Sequence, residues 1–202
     1  MPLQNRVDPY GALHAVAARG AWTGNRGVLH DEHRRIVRPW RLERWIVCRL
    51  EFKGRHRAVF TPGRWTELFF LDEATAFAAG HRPCAECRRE SYEAFRAAFA
   101  GPRAARLPTA PEIDAILHRE RLAPDGGKRR YEAELDALPD GTMVEHAGAP
   151  SLLWRGQLRP WSFDGYGRAR SLVPGKVTVL TPASTVHALG RGYRPQVAIA
   201  AA

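Results

Sequence analysis

The sequence predicts an α+β protein built from small antiparallel sheets and short helices. Apolar and polar residues alternate along several short runs, which is the periodicity of strands with one buried face. Only brief stretches have the spacing of three and four residues that places apolar side chains on one side of a helix. A strand, a helix and a Gly-x-Arg-Pro turn follow one another twice, ending at Pro83 and at Pro195. This repetition predicts two related subdomains, each with one such unit.

The 202 residues are enough for one large domain or two small ones. We expect a first subdomain over residues 1–105, a helical connector over 106–138 and a β-rich C-terminal subdomain over 139–202. Prolines interrupt the chain at the start of the predicted connector, and a Pro-Asp-Gly turn opens the last part.

The first subdomain begins with a Gly-rich polar stretch, residues 1–35, for which we expect a loop. Residues 44–52 alternate as a strand, with Ile46 and Cys48 on the same face. We expect this face to be buried, so Cys48 is interpreted first as a core thiol and second as a metal ligand. The basic residues of 53–56 then form a predicted hairpin tip.

Residues 69–99 combine a strand end, a capped helix, a sharp turn and a second helix. Asp72 is a suitable N-cap, because its carboxylate can accept hydrogen bonds from the free amides of the first helical turn. Gly80 can adopt the left-handed conformation that ends a helix. Cys84 and Cys87 stand at the predicted start of the second helix, where the positive end of the helix dipole stabilises thiolates.

The remaining elements are predicted from caps and turns. Thr109 and Glu112 form a capping-box pattern ahead of a helix. Another short helix is expected to start at residues 128–131. Strands are predicted over 151–158 and 175–180, and a Thr-Pro pair then begins the last helix.

The chain carries a formal net charge of +10 and has a pI of about 10.3. Such a balance favours a polyanionic partner, either a nucleic acid or an acidic membrane surface. Only three of the 31 basic residues are lysines, and arginine both grips phosphate with a planar fork and stacks on rings. We expect a nucleic acid, DNA in the first place. We expect no membrane insertion, because no apolar run has the ~20 residues needed to cross a bilayer.

The cysteine content argues against a secreted disulfide framework. The chain has three cysteines, which is an odd number, and two of them have a Cys-x-x-Cys spacing. No apolar run of signal-peptide length stands at the N-terminus. We therefore expect a cytoplasmic protein.

Residues 69–88 resemble the zinc domain of Ada-type methylphosphotriester repair proteins. The matching features are an aromatic strand end, an acidic cap with an Ala-rich helix, and the run Gly-His-Arg-Pro-Cys-x-x-Cys that ends at Cys87. In that family the run reads Gly-aromatic-Arg-Pro-Cys-x-x-Cys, and its two cysteines bind zinc. The resemblance implies a zinc-ligand role for Cys84 and Cys87, the fold of this element and an affinity for DNA.

The sequence departs from the family at one important place. The family has two further cysteines upstream, separated by three residues, and one of them accepts the methyl group. Thr61 and Trp65 fall near those two positions, and neither side chain binds zinc as a thiolate does. The resemblance therefore does not extend to methyl transfer.

A structural zinc ion normally has four protein ligands, and the resemblance supplies only Cys84 and Cys87. His30 is our first candidate for a further ligand, because its Gly-rich loop would allow its side chain to reach a metal ion bound by Cys84 and Cys87. Cys48 is the second candidate. The other imidazoles open to this role are those of His33, His56 and His81. The alternative is a reduced cysteine pair without a metal.

We expect the protein to bind nucleic acid. Basic residues flank the start of the second helix, where free amides already favour a phosphate, and others lie on the predicted hairpin tip and after the next turn. They are Arg55, His56, Arg57, Arg64, Arg82, Arg88 and Arg89. For each one the competing interpretation is a solvated surface charge.

Two other functions remain open. A metal-dependent enzyme acting on nucleic acid, either a nuclease or a base-processing enzyme, would use a metal to activate water. A thiol or redox protein would use the Cys-x-x-Cys pair, whose pKa values fall at a helix start. No recognised catalytic motif supports the enzyme. Its candidate residues are His30, Asp31, His33, Glu51 and Glu67.

Overall fold

The computed structural model describes residues 1–54 and 58–199, and it has the predicted α+β architecture of two small, mostly antiparallel sheets and short helices. The strands of the first sheet are Arg6–Val7 (β1), Leu13–His14 (β2), Trp22–Asn25 (β3), Ile46–Cys48 (β4), Leu68–Phe70 (β5) and Arg82–Pro83 (β6). Those of the second are Tyr131–Glu134 (β7), Met143–His146 (β8), Ala149–Trp154 (β9), Gln157–Ser162 (β10), Gly165–Tyr166 (β11), Arg170–Ser171 (β12) and Lys176–Val179 (β13). The α-helices are Glu73–Ala78 (α1), Arg89–Ala100 (α2), Ala110–Arg121 (α3) and Ala183–Gly190 (α4), and Leu135–Ala137 forms a 3-10 turn.

The first sheet has the strand order β2-β1-β5-β3-β4-β6. β3 runs antiparallel to β4 and β5, whereas β1 with β5 and β4 with β6 are parallel pairs. The register of the central strands places Cys48 beside Thr23, and Thr23 beside Phe69. Because directly paired residues point to the same side of a sheet, these three side chains share one face.

The opposite face of the first sheet is covered by helices. Val47, Leu68 and Phe70 lie on that face and are fully buried. Their core includes Phe77 of α1 and Phe95 of α2, whose ring centroids are 5.4 Å apart, and side chains of α3 and α4 complete it. The C-terminal helix therefore belongs to the core of the N-terminal sheet.

The second sheet is antiparallel, with the order β11-β10-β9-β8-β13-β7 and β12 paired with β10. Val144, Leu153 and Val179 pack in a second core, to which α4 contributes Val186. Because α4 also contributes Leu189 to the first core, this one helix lies between the two sheets.

The two strand–helix–Gly-x-Arg-Pro units end in turns of the same geometry. Gly80 has a φ of 91° and Gly192 a φ of 99°, in the left-handed region that a residue without Cβ adopts without strain. In both turns the glycine amide bonds back three residues and the next amide bonds back five. These bonds are Gly80 N to Phe77 O (2.8 Å), His81 N to Ala76 O (2.9 Å), Gly192 N to Leu189 O (3.0 Å) and Tyr193 N to Ala188 O (3.1 Å). The repeated motif therefore encodes a repeated helix end.

The chain after the second turn closes over the N-terminus of α1. The backbone amide of Gln196 donates to Glu73 Oε2 over 2.9 Å, and its carbonyl accepts the amide of Glu73 over 3.0 Å. The Tyr193 hydroxyl donates to Glu73 Oε1 over 2.7 Å, and the amide of Ala198 donates to Asp72 Oδ2 over 3.0 Å. The second unit, which lacks cysteines, thus serves to fix the first.

Several elements differ from their predictions. The expected loop over 1–35 contains the short strands β1, β2 and β3, because distant segments supply their partners. The helix expected from 128–131 is replaced by strand β7, which pairs with β13. The strand predicted over 151–158 is the hairpin β9–β10, which turns at Arg155 and Gly156 with φ values of 51° and 67°. Positive φ at both central residues suits a two-residue hairpin turn.

Both predicted helix caps are present. Asp72 Oδ1 accepts the amide of Thr75 over 2.8 Å, and Thr109 and Glu112 make the capping box ahead of α3. No helix within residues 1–54 and 58–199 is long and apolar enough to cross a membrane.

Candidate metal centre and adjoining cavity

Three cysteine sulfurs meet at the edge of the first sheet. The Sγ atoms of Cys48, Cys84 and Cys87 all lie within 4.8 Å of one another. Cys48 is half-buried, and the other two are buried. Among the residues that the structure describes, no other group of three or more His, Cys, Asp or Glu side chains is close enough to hold one metal ion.

Strand pairing brings the three cysteines together. β6 runs parallel to β4 with Val47 opposite Pro83, and the amide of Cys84 donates to the carbonyl of Val47 over 3.0 Å. Cys84 is therefore aligned with Cys48, the next residue of β4. A tight turn ahead of α2 then brings Cys87 back to the other two sulfurs.

The surroundings of Cys84 favour its thiolate. The thiols of Cys48 and Cys87 and the backbone amides of Cys87 and Glu86 donate to its sulfur and hold the pKa of Cys84 well below the ordinary value of a thiol. The pKa of Cys48 is raised, because its thiol is held in hydrogen bonds with the other two sulfurs and because burial disfavours its charge. Three thiolates at this separation repel one another, so all three ionise together only around a cation.

The donor set suits a thiophilic metal ion. Thiolates select zinc, copper(I) and iron–sulfur centres, whereas calcium and magnesium prefer oxygen ligands. Sulfurs around a tetrahedral zinc ion lie about 3.8 Å apart, given a Zn–S bond of ~2.3 Å. The limit of 4.8 Å between these sulfurs includes that separation. The cluster can therefore hold a metal ion with three ligands, and the fourth position has to come from another group.

A cavity of about 490 Å³ borders the cluster, and all three cysteines line it. Its floor is the face of β3, β4 and β5 that points away from the helical core, with Thr23, Ile46 and Phe69 on it. The volume lies within the ~300–1,000 Å³ of ordinary small-molecule sites.

Charged groups occupy both the floor and the rim of this cavity. Glu67 is only 6% exposed; its Oε2 accepts the amide of Phe60 over 2.9 Å, and its Oε1 has no hydrogen-bond partner within residues 1–54 and 58–199. Arg41, Arg44 and Arg49 also line the cavity and are exposed. Within the part of the chain that the structure describes, these three arginines form a rim above a buried acceptor, and we call them the arginine rim.

The position of Cys48 corrects our first interpretation of it as a core thiol. Ile46, Cys48, Leu50 and Phe52 do share a side, but that side lines the cavity. Val47, on the other side, is the residue buried in the core. Alternation determines which residues share a face but not which face is covered. The ligand role that we ranked second for Cys48 agrees with its place in the cluster.

His30, our first candidate for a further ligand, lies outside the cluster. Its Nδ1 is 2.7 Å from Thr66 Oγ1, and its Nε2 is 3.2 Å from the carbonyl of Thr61. Its ring stacks on Phe60 with centroids 4.6 Å apart. Both nitrogens already have partners in a buried site, so the third candidate ligand is Cys48 and not His30.

The other imidazoles are not brought to the cysteines either. The side chain of His33 is 65% exposed on its loop. His81 is fully buried against Trp45 and Phe70, and burial, assisted by nearby cations, holds its pKa well below the ordinary value. His56 lies outside the described residues.

Two arginines that we predicted on the nucleic-acid surface are buried. Arg82 donates from Nε and Nη2 to the two carboxylate oxygens of Asp114, over 2.8 and 2.7 Å. Arg88 pairs with Glu73 at 2.7 Å, and its guanidinium lies 4.0 Å from the ring centroid of Trp22. Both side chains are about 2% exposed. Their burial contradicts a direct contact with phosphate, because these charges are already neutralised inside the protein.

Arg64 and Arg89 are exposed, as a surface role requires. Arg89 makes an ion pair with Glu93 at 3.1 Å while its side chain stays 72% exposed. Binding of phosphate by these two residues stays a prediction. The predicted hairpin-tip residues Arg55, His56 and Arg57 lie outside the described residues.

The residues considered for a metal-dependent enzyme are not gathered at one place. Asp31 is held in its own turn by the amides of His33 and Arg35, each at 2.9 Å. Glu51 is exposed, and Glu67 lies in the cavity. In the part of the chain that the structure describes, these residues form no group that could hold a metal.

Sequence reasoning missed the arginine rim. Residues 36–44 have no clear periodicity, and their position depends on the carbonyl of Arg26, which accepts the amides of Arg41 and Leu42 at 3.0 Å each. The available signal was the recurrence of arginine through residues 34–49.

The fold and the cluster define a small α+β protein with three thiols placed for a metal ion at a sheet edge. The chain matches no family model, no curated protein and no solved structure.

Proposed function

We propose that the protein binds a zinc ion through Cys48, Cys84 and Cys87 and uses the adjoining basic surface to bind nucleic acid, DNA in the first place. The observation that carries the proposal is the meeting of three sulfurs at a cavity with an arginine rim. Water or a group of the bound ligand takes the fourth position on the metal.

Zinc fits the donor set better than the other thiophilic ions. It needs no particular redox state and accepts a tetrahedral site of protein thiolates with one further ligand. The resemblance of residues 69–88 to the Ada-type zinc domain supports the same ion, since Cys84 and Cys87 correspond to zinc ligands there. Cys48 supplies a further sulfur from β4.

The proposal excludes methyl transfer. The family's methyl acceptor is a cysteine upstream of the Cys-x-x-Cys run, near the position of Thr61 or Trp65 in this chain. The Thr61 hydroxyl donates to the carbonyl of Ala58 over 2.7 Å, and Trp65 lines the cavity as an aromatic wall. Neither side chain offers the nucleophilic thiolate that accepts an alkyl group.

Charge supports a polyanionic partner. The chain has a formal net charge of +10, and the three rim arginines concentrate part of that charge beside the cluster. Among the described residues that line the cavity, Glu86 is the one exposed acidic side chain. Arginine at such a rim binds phosphate through two parallel hydrogen bonds.

The metal is tested by elemental analysis of the purified chain. We expect about one zinc ion per chain, and Cys48→Ser, Cys84→Ser and Cys87→Ser should each lose most of it, because a hydroxyl is a much poorer zinc ligand than a thiolate. Cobalt(II) substitution should give thiolate-to-metal charge-transfer absorption that weakens in each variant. His30→Gln is the matched control and should keep its zinc.

Two outcomes would contradict this assignment. If His30→Gln loses zinc while Cys48→Ser retains it, the third ligand is wrong. If the wild-type chain contains no metal and its cysteines are alkylated equally fast with and without a chelator, the cysteines act as free thiols, as in the redox alternative.

Nucleic-acid binding is tested by titrating labelled single-stranded and duplex DNA at several salt concentrations. Each neutralised phosphate releases counterions, so the logarithm of the binding constant should fall with log salt by about 0.9 per contact on duplex DNA. Arg41→Ala and Arg49→Ala should each weaken binding and reduce this slope by about one contact. Arg103→Ala, an exposed arginine on the α2–α3 loop, is the control and should have little effect. Binding that is absent at low salt, or that does not respond to salt, would refute the nucleic-acid part.

A further inference from the structure

The strand register determines which side chains are neighbours on the floor of the cavity. Asn25 lies opposite Ile46, and Thr23 lies opposite Cys48. On the other side of β3, Gly24 lies opposite Leu68, and this register continued by one residue places Glu67 next to Asn25. Strands are ~4.8 Å apart and residues ~3.4 Å apart along them, so the backbone of Glu67 lies about 12 Å from that of Cys48. The floor is therefore wide enough for a flat ring between the carboxylate and the sulfurs.

Glu67 provides an unsatisfied acceptor at one side of this floor. Its Oε2 is occupied by the amide of Phe60, whereas Oε1 is buried without a hydrogen-bond partner among the described residues. A buried carboxylate oxygen without a donor is costly. The neighbouring Thr23 hydroxyl already donates to the carbonyl of Leu68 over 3.0 Å. The missing partner of Glu67 is thus an N–H or O–H that the described chain does not supply.

The floor and walls of the cavity are largely apolar and partly aromatic. Ile46, Leu50 and Val59 line it together with the rings of Phe69 and Trp65. The Arg6 guanidinium covers one side of the Phe69 ring, 4.7 Å from its centroid, so a planar ligand ring would pack against the remaining apolar and aromatic surface. The arginine rim lies at the outer edge, where its side chains stay exposed. A matching ligand has a flat ring, a hydrogen-bond donor on that ring and an anionic group outside it.

We infer that this cavity binds the base of a nucleotide, an inference that rests on the proposed nucleic-acid function and specifies how one base is held. The ring lies on the β3–β4–β5 face, an N–H of the base donates to Glu67 Oε1, and the adjoining phosphate contacts the arginine rim. A nucleotide combines all three required features, and a lipid headgroup lacks the planar ring.

The test compares two single-stranded oligomers of equal length and charge, one with normal bases and one with abasic sugar-phosphate units only. The zinc-loaded full chain should bind the base-containing oligomer about tenfold more tightly. Glu67→Gln replaces the charged acceptor while keeping the side-chain shape, so it should lower the affinity for the base-containing oligomer about tenfold. The same variant should leave the affinity for the abasic oligomer unchanged.

A second variant blocks the cavity without altering charge. Ile46→Trp places a larger side chain at a half-buried position on the cavity floor. It should lower the affinity for the base-containing oligomer and leave the affinity for the abasic oligomer unchanged. Val173→Trp, at a side chain that is 74% exposed, is the control and should bind both oligomers as the wild type does.

The outcomes separate this inference from the function on which it rests. If the wild type binds both oligomers equally, the chain is a nucleic-acid-binding protein whose cavity takes no base. If Glu67→Gln lowers the affinity for both oligomers equally, the carboxylate contributes to the stability of the fold and not to base binding, and the inference is wrong. If neither oligomer binds at low salt, the proposed function and the inference both fail.

Discussion

The amine of Lys128 lies close to the buried guanidinium groups of Arg26 and Arg121. Its Nζ donates to the carbonyl of Ala78. Burial lowers the pKa of Lys128 to about 7, the charges of Arg26 and Arg121 act in the same direction, and Asp8 opposes them. The low pKa follows because burial disfavours the charged amine and the two neighbouring guanidinium groups repel it, which Asp8 offsets only in part.

The shifted Lys128 amine predicts that stability rises with pH above neutrality. The unfolded chain keeps this lysine protonated up to a pH of about 10.4, whereas the folded chain releases the proton from a pH of about 7. Between these values the unfolded state binds more protons, so the free energy of unfolding should increase by up to about 1.4 kcal/mol per pH unit. His81, whose pKa is already far below this range, stays neutral throughout. Urea unfolding of the purified chain at pH 7.5 and pH 9 measures the change.

The matched variants are Lys128→Met and Lys176→Met. Lys128→Met removes the titrating group, so its stability should depend less on pH than that of the wild type, by about 2 kcal/mol over this interval. Lys176 is exposed on β13, and its replacement should leave the pH dependence as it is. Equal pH dependence in the wild type and Lys128→Met would show that the buried amine is not neutral.

At the scale of elements, a buried ion pair joins β6 to α3. Arg82 follows the Gly80 turn and forms two parallel bonds with Asp114, and its guanidinium also lies 5.3 Å from the Tyr92 ring centroid of α2. Burial raises the pKa of Asp114, and the Arg82 guanidinium opposes that shift. The pair fixes the strand that leads into Cys84, so its role is to position the cysteine turn.

Removal of one partner should be strongly destabilising. Arg82→Met leaves a buried carboxylate without compensation and should lower the free energy of unfolding by about 3–5 kcal/mol at neutral pH. The loss should shrink as the pH falls below neutrality, because burial raises the pKa of Asp114 and its protonation removes the unpaired charge. Arg89→Met, which breaks an exposed ion pair, is the control and should change stability by less than about 1 kcal/mol. A similar small effect of both variants in chemical unfolding would mean that Arg82 is a surface charge after all.

The elements that sequence reasoning predicted well are those defined by local bonds. The Asp72 cap involves residues within one helical turn, and so does the capping box at Thr109. The Gly-x-Arg-Pro turns close within five residues and recur with the same hydrogen bonds. β1 and β2 were missed, because they consist of two residues each and owe their existence to pairing with each other and with β5.

At the scale of the whole molecule, the C-terminal part of the chain supplies core side chains and hydrogen bonds to the N-terminal sheet and its first helix. α4 contributes to both hydrophobic cores, and the segment around Gln196 satisfies Glu73 at the start of α1. β7, placed by sequence in the helical connector, is the edge strand of the second sheet. Changes in composition along the chain therefore do not mark where the cores begin and end, because long-range packing assigns each element to a core.

The net charge alone also does not show where a polyanion would bind. Arg26, Arg82, Arg88 and Arg121 are buried and act within the fold, whereas the rim arginines are exposed. Nucleic-acid binding therefore stays a prediction about the exposed basic residues, to be decided by its salt dependence.

The sequence by itself determined the α+β class, the caps, the repeated turns and the closeness of Cys84 to Cys87, since each depends on residues a few positions apart. Tertiary structure alone decided that Cys48 and not His30 joins them, that Arg82 and Arg88 are buried, and that a cavity opens beside the sulfurs. The physical reason is that strand register and the covered face of a sheet depend on partners far along the chain. A shift of one residue in β4 would have turned Cys48 into the core and Val47 toward the cavity.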